Sequence, residues 1–181
     1  MELDQRLAQE VCMGIAPPTL RIYQWLKPAV SVGRRQDVFA LPRDLLSLPV
    51  VRRPTGGGAV VHQIEELTYA WALPRTLAQG YRPLADLPGR LHQHLRPLLV
   101  DQANFHLDAT RIAEADSPGP HTFCFSAPMR GDLLYQGRKV GGTALRAWRS
   151  GILIQGSIQG FPVEFDLLAK LLTQAAMDCV A

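Results

Sequence analysis

The spacing of hydrophobic and polar positions changes several times along the chain, and each change marks an element. Over residues 2–13, Leu3, Leu7 and Val11, with Cys12 beside them, recur on one face at helical spacing, and Gly14 with Pro17-Pro18 ends the segment. Residues 19–25 (TLRIYQW) alternate as a half-buried strand does, and 29–33 (AVSVG) read as a second short strand. Pro42 with Asp44 opens one helical turn. Strands are expected at 49–53, 59–62 and 66–73, the last closed by Pro74, with a hairpin-like pair around Gly56-Gly57-Gly58. Residues 83–100 are the central helix, with Pro88 and Pro97 near its ends or kinking it. Residues 115–121 read as a loop. Strands follow at 132–136, 138–146 and 151–159, with turns at Gly137-Arg138 and Ser150-Gly151. A closing helix over 163–177 turns Val163, Leu167, Leu168, Leu171 and Leu172 toward the core.

Strands come in groups rather than alternating with helices. The fold class is therefore α+β, with a mixed, largely antiparallel sheet flanked by helices. The 181 residues suit one domain, 1–181. A composition 47% hydrophobic and 19% charged excludes disorder as the general state. No apolar run approaches the roughly 20 residues of a membrane helix, and MELDQRLAQE has no apolar core of a secretory signal, so a cytoplasmic location and no membrane association are expected. Net charge is +3, and only Lys27, Lys139 and Lys170 among the 19 cations are lysines. Arginine suits bidentate contact with carboxylate or phosphate, although GC-rich coding produces the same bias. No basic run exceeds two, so no nucleic-acid partner is expected. Cys12, Cys124 and Cys179 are far apart and form no CxxC pair, which points away from a disulfide framework and a metal site.

Three segments carry candidate chemistry. In Arg52-Arg53-Pro54-Thr55-Gly56-Gly57-Gly58-Ala59-Val60-Val61-His62, consecutive glycines permit close approach of a ligand to backbone amides, and the arginines add charge. The alternative is a hairpin loop with solvated arginines. In DLLYQGRKVGGTA (132–144), Lys139 precedes Gly141, Gly142, Thr143 and Ala144 and is placed to reach a phosphate or acyl oxygen, or is a surface lysine at a hairpin tip. In His121-Thr122-Phe123-Cys124-Phe125-Ser126-Ala127-Pro128, the cysteine is a small core residue or a thiolate stabilised by Lys139 or His62.

The ordered series RRPTGGGAVVH, ELTYA, CFSAP, GRKVGGTA and GILIQGSI is far more specific than any one of its parts. It resembles the lipoate–protein ligase and octanoyltransferase family, the biotin/lipoate ligase-like catalytic domain. PPTLRIYQW and PAVSVGRRQ resemble that family's opening strands, so the resemblance spans about residues 1–160. It implies attachment of an octanoyl or lipoyl group to one lysine of a lipoyl carrier domain, of the 2-oxoacid dehydrogenase E2 or glycine cleavage H protein type. It also implies that Arg53, Gly56, Gly57, Gly58 and His62 line the acyl and head-group site. Gly141, Gly142, Thr143 and Ala144 join them, and Lys139 meets the acyl carbonyl or an adenylate phosphate. Alanine at Lys139 is expected to leave folding largely intact. Arg146 and Arg149 are candidate contacts for an acidic carrier.

Two reactions share the resemblance. An octanoyltransferase takes octanoate from acyl carrier protein without a cofactor, in one class through a cysteine thioester, and Cys124 occupies the matching place. A ligase uses ATP and Mg to form lipoyl-AMP. Glu66 to Tyr69 (ELTY) resembles the cysteine class, while the third glycine, Gly58, is more ligase-like. Gln63 and Gln155 replace an aspartate and a histidine common in the family. No C-terminal accessory domain is expected, and an accessory subunit would then supply its role. A non-catalytic homologue that binds lipoyl domains is a third reading.

Overall fold

The computed structural model describes residues 1–80, 83–103, 110–117 and 122–181. Helix α1 (Glu2–Cys12) leads into β1 (Thr19–Tyr23), β2 (Ala29–Val32), β3 (Val50–Arg52), β4 (Val60–His62) and β5 (Leu67–Pro74). Helix α2 (Leu87–Ala103), β6 (Thr110–Ile112), β7 (Leu133–Tyr135), β8 (Arg138–Ala147), β9 (Gly151–Ile158) and α3 (Phe165–Val180) follow. The class is α+β, but the strands form two sheets rather than one. A six-stranded antiparallel sheet has the order β1-β5-β9-β8-β7-β6, and a three-stranded mixed sheet has the order β3-β2-β4. Among the described residues, no helix is long and apolar enough to cross a membrane.

The main core follows from strict alternation in β5. Leu67, Tyr69, Trp71 and Leu73 face α2 and α3, whereas Thr68, Ala70 and Ala72 face the other side. Ile152, Ile154 and Ile158 of β9 join the first face, opposite a Leu87-Leu91-Leu95-Leu99 stripe on α2. These side chains are essentially inaccessible, and each contributes about 1.5–3 kcal/mol by leaving water. The second face carries small or polar residues, so α1 and the three-stranded sheet can approach it.

Several expectations change. The strands flanking the glycines do not pair as a hairpin: β2 lies between β3 and β4, parallel to one and antiparallel to the other. Its apolar Val30 and Val32 are fully buried, which suits a central strand. On α1 the inward face is Asp4, Ala8 and Val11, and Leu3 is 44% exposed, because the buried Asp4 has partners on β1 and β9. The short edge strand β6 has no alternating signal over its three residues. Pro88 sits in the first turn of α2, but Pro97 lies inside the helix. The β7–β8 turn is centred on Gln136-Gly137, with φ of 49° and 74°, the two left-handed residues of a type I′ turn. Helix α3 begins after Val163 and runs to Val180, three residues beyond the expected end. His121 and residues 118–120 of the expected loop lie outside the described residues.

Candidate active site

Gly33, at the end of β2, is where the site begins. A Cβ built on it would lie 2.1 Å from the Gly57 carbonyl oxygen, so the glycine loop crosses β2 at a point only glycine permits. Gly57 itself has φ +89°, a left-handed conformation. Buried Arg53 holds the crossing: Nη1 donates to Ser31 O (2.9 Å) and Oγ (2.6 Å), and Nη2 to Gly56 O (3.0 Å) and Gly58 O (2.8 Å). Among the described residues no carboxylate pairs with it. Burial lowers its pKa, and negative charge on Cys124 or Tyr23 would work against that shift. A buried cation compensated by neutral oxygens leaves net positive potential beside the cavity. Gly33→Ala should therefore destabilise the protein by about 1–3 kcal/mol or more in urea unfolding. Gly56→Ala, whose Cβ meets nothing within 4 Å, should stay within about 0.5 kcal/mol of wild type.

The Arg53 network continues through the three-stranded sheet. Ser31 Oγ lies 2.6 Å from His62 Nε2, and His62 Nδ1 lies 2.5 Å from Glu66 Oε1. Glu66 also accepts from the Thr68 and Ser157 hydroxyls, the Gln63 amide and Gln159 Nε2. Burial alone would raise its pKa; His62 and these donors outweigh burial and hold it below the usual carboxylate value. Glu66 thus stays ionised and accepts from Nδ1–H, while Nε2 faces the Ser31 hydroxyl. The Trp25 ring stacks on the imidazole with centroids 4.1 Å apart, and its Nε1 donates to Thr68.

Cys124 arrives on a segment joined to Ala59: its N–H donates to Ala59 O (2.8 Å), and Ala59 N–H to Thr122 O (2.8 Å). Lys139 Nζ donates to Cys124 O at 2.6 Å and lies 3.6 Å from Cys124 Sγ. It also pairs with Asp132 Oδ2 at 2.5 Å, with side chains only 2% and 5% exposed. The expectation that Lys139 has little structural role is therefore corrected: it balances a buried carboxylate. Asp132 is positioned in turn by the Met129 amide (2.6 Å) and by close approach of α2 at Gly89 to Gly131. His92 on α2 faces Gly131 O at 2.8 Å. Burial, chiefly, lowers its pKa to about 4, so it is neutral near pH 7 and Nδ1–H donates to that carbonyl. Gly142 makes room for the ammonium, since its Cβ would lie 2.8 Å from Lys139 Cε.

A cavity lies between the two sheets. Of the residues expected from sequence, Arg53, His62, Cys124, Gly142, Thr143 and Ala144 line it. Lys139 meets it through Cys124. Gly56 and Gly57 face a separate cleft beside Arg146, Gly58 turns its carbonyl to Arg53, and Gly141 packs on Leu133 and His92 across β8. Ser31 and Asp132 carry no site expectation from sequence, and Gln155 carries one only as the replacement of a histidine common in the family. Gln155 accepts from Thr55 Oγ1 (2.9 Å) and donates to Asp4 Oδ2 (2.8 Å), tying the glycine loop to α1. Polar residues on small-residue strand faces were the signal for Ser31 and Gln155.

Comparison with known proteins gives consistent relatives. The family described as Lipoyl protein ligase A/B catalytic domain matches residues 1–177. The chain is 36% identical over 172 residues to an octanoyltransferase LipM of Anoxybacillus flavithermus, covering 87% of this chain and 59% of that protein. It is likewise 36% identical over 193 residues to a LipM of an Exiguobacterium species, covering 100% of this chain and 65% of the other. It thus spans about three fifths of the length of these curated relatives. Among solved structures, lipoate-protein ligase A bound with ATP superposes with a TM-score of 0.69 at 16% identity, covering 97% of this chain and 77% of that one, a likeness of fold.

Proposed function

This chain belongs to the lipoyl protein ligase A/B catalytic domain family, and we propose that it transfers an octanoyl or lipoyl group to the lysine of a lipoyl carrier domain through a thioester on Cys124. The observation that carries the reading is the placement of Cys124 Sγ at the cavity, 3.6 Å from the Lys139 ammonium. The similarity to proteins named octanoyltransferase supports the choice of acyl group.

In the first half, the Cys124 thiolate attacks the carbonyl carbon of an acyl thioester such as octanoyl-acyl carrier protein. The carbonyl π electrons move onto oxygen, and an ammonium has three donors. Two of those of Lys139 go to Cys124 O and Asp132, and the third, which faces Cys124 Sγ, turns to the oxyanion once the sulfur has bonded to the carbonyl carbon. Collapse expels the donor thiolate and leaves acyl-Cys124. In the second half the neutral amine of the carrier lysine attacks, the oxyanion forms at the same place, and Cys124 leaves as thiolate. The amide nitrogen loses its extra proton to solvent. Arg53 lends positive potential to both thiolate stages. Val60, Phe125, Gly142 and Ala144 supply apolar lining, and each buried methylene of an acyl chain is worth about 0.8 kcal/mol.

The thioester itself supplies the driving force, so this reaction needs neither ATP nor Mg. Incubation with octanoyl-acyl carrier protein should add one octanoyl mass to the intact protein, and a lipoyl domain should then discharge it. Acylation of the lipoyl domain only with free lipoate plus Mg-ATP, with AMP released, would identify a ligase instead. A lipoyl domain that binds but is modified under neither condition would identify a non-catalytic homologue.

A further inference from the structure

A second cleft opens on the outer side of the glycine loop. It is lined by Arg34, Arg35 and Arg146 together with Gln36, Gly56 and Gly57. Among the described residues none of the three arginines pairs with a carboxylate. Asp37, the nearest acid in sequence, is turned to the Phe39 amide at 3.0 Å. Burial and then the like charge of Arg34 lower the pKa of Arg146, a conflict that a bound anion would relieve.

The turn that carries these charges is held in place. Arg52 Nη1 donates to Gly33 O (3.0 Å), Arg34 O (3.2 Å) and Gln36 O (2.8 Å). The Arg34 amide donates to Thr55 O at 2.8 Å, and Gln36 Nε2 to Thr122 O at 2.9 Å. The arginine turn, the glycine loop and the Cys124 segment are thus one hydrogen-bonded unit. Arg146 Nη1 donates to Pro54 O at 3.2 Å, and its guanidinium lies 4.5 Å from the Trp148 ring centroid.

Strand β8 connects this cleft to the thiol. Gly142, Ala144 and Arg146 share one face by strand alternation. Gly142 lies against Lys139 at the Cys124 end, and Arg146 lies at the cleft. Four residues of strand span about 13 Å at roughly 3.3 Å each. We propose that this cleft binds the phosphodiester of a phosphopantetheine arm, holding it while the acyl thioester at the arm's other end reaches Cys124. About thirteen bonds separate that phosphorus from the sulfur, ~15 Å at the extended-chain reach of roughly 3.5 Å per three bonds. The span matches the strand, and arginine is the side chain suited to phosphate. This inference rests on the reading of Cys124 as the acyl acceptor.

The test uses two donors that differ only in phosphate: octanoyl-4′-phosphopantetheine and octanoyl-pantetheine. The readout is the ratio of their rates of Cys124 acylation, followed by intact mass. Charge-assisted contacts make the phosphorylated donor roughly 10–100-fold faster with the wild-type protein. Arg34→Gln/Arg35→Gln, which alters only exposed side chains, and separately Arg146→Gln should bring the ratio toward one. A wild-type ratio near one, or an unchanged ratio in both variants, overturns the proposal. If neither donor acylates Cys124, the thioester reading has failed, and calorimetric affinities of the two donors decide the cleft: equal affinities overturn the phosphate site, and a preference lost in the variants supports it. A parallel ATP titration separates the other phosphate source. ATP binding that the same variants abolish, with AMP released on adding lipoate, would assign the cleft to a nucleotide and overturn the proposal.

Discussion

Cys124→Ala should lose both the octanoyl adduct and transfer to a lipoyl domain. A missing nucleophile cannot be replaced by positioning alone, and loss of a covalent catalyst's nucleophile lowers turnover by roughly 10⁴–10⁶. Stability should change little, because Cys124 is only partly buried and alanine keeps its backbone hydrogen bonds to Ala59 and Lys139, losing only the 3.6 Å contact of Sγ with Lys139. The adduct on the wild-type protein should be released by hydroxylamine, as a thioester is. Cys12→Ala and Cys179→Ala serve as controls: Cys12 packs beside Gly151, Cys179 lies in the main core, and neither lines the cavity. Both should keep the adduct. A Cys124→Ala protein that still lipoylates its carrier with ATP would sink the thioester mechanism and leave the thiol as a small residue between Phe123 and Phe125.

Lys139→Ala should fail twice, once in chemistry and once in folding. Losing one donor to a developing oxyanion lowers acyl transfer by roughly 10²–10³. The variant also strands the Asp132 carboxylate, whose side chain is 5% exposed. Breaking a buried ion pair from one side costs about 3–5 kcal/mol. The pH dependence identifies the cause. Burial raises the Asp132 pKa, and Lys139 opposes that shift, so removing the lysine moves the folded-state pKa further above the unfolded value. The folded variant then holds its proton more tightly than the unfolded chain. Its stability deficit is full above the folded pKa and shrinks as pH falls toward the unfolded value of about 3.9. Urea unfolding at pH about 7.5 and about 4.5 should therefore show the larger gap from wild type at the higher pH. Adding Asp132→Asn should recover part of the stability and none of the transfer rate. An equal deficit at both pH values, with no recovery in the double variant, would remove the buried pair as its origin.

Local pattern determined the elements that alternate cleanly. Large-small alternation in β5 and the four-residue leucine stripe of α2 name their own buried faces, because period 2 and period 3.6 leave few ways to hide apolar surface. The glycine run, Cys124 and Lys139 were also legible, since each is an unusual residue type in a short, ordered series. Strand partnership was not. Whether β4 pairs with β3 or with β2 depends on where a parallel neighbour is inserted, and adjacent residues carry no trace of that. On α1, Val11 is buried and Leu7 packs on the core as their spacing predicts, but Asp4 replaces Leu3 on the inward face for a related reason: it is buried by Arg21, Tyr23 and Gln155, partners 17, 19 and 151 residues away. Lys139 shows the division most clearly. Its candidacy came from its neighbours in the chain, but its role in stability comes from Asp132 and from the helix that sets Asp132 in place. Sequence order thus determined which chemical groups this protein owns and which strands and helices carry them. Tertiary structure decided which groups meet, because burial and electrostatic pairing act over distances in space that separation along the chain does not measure.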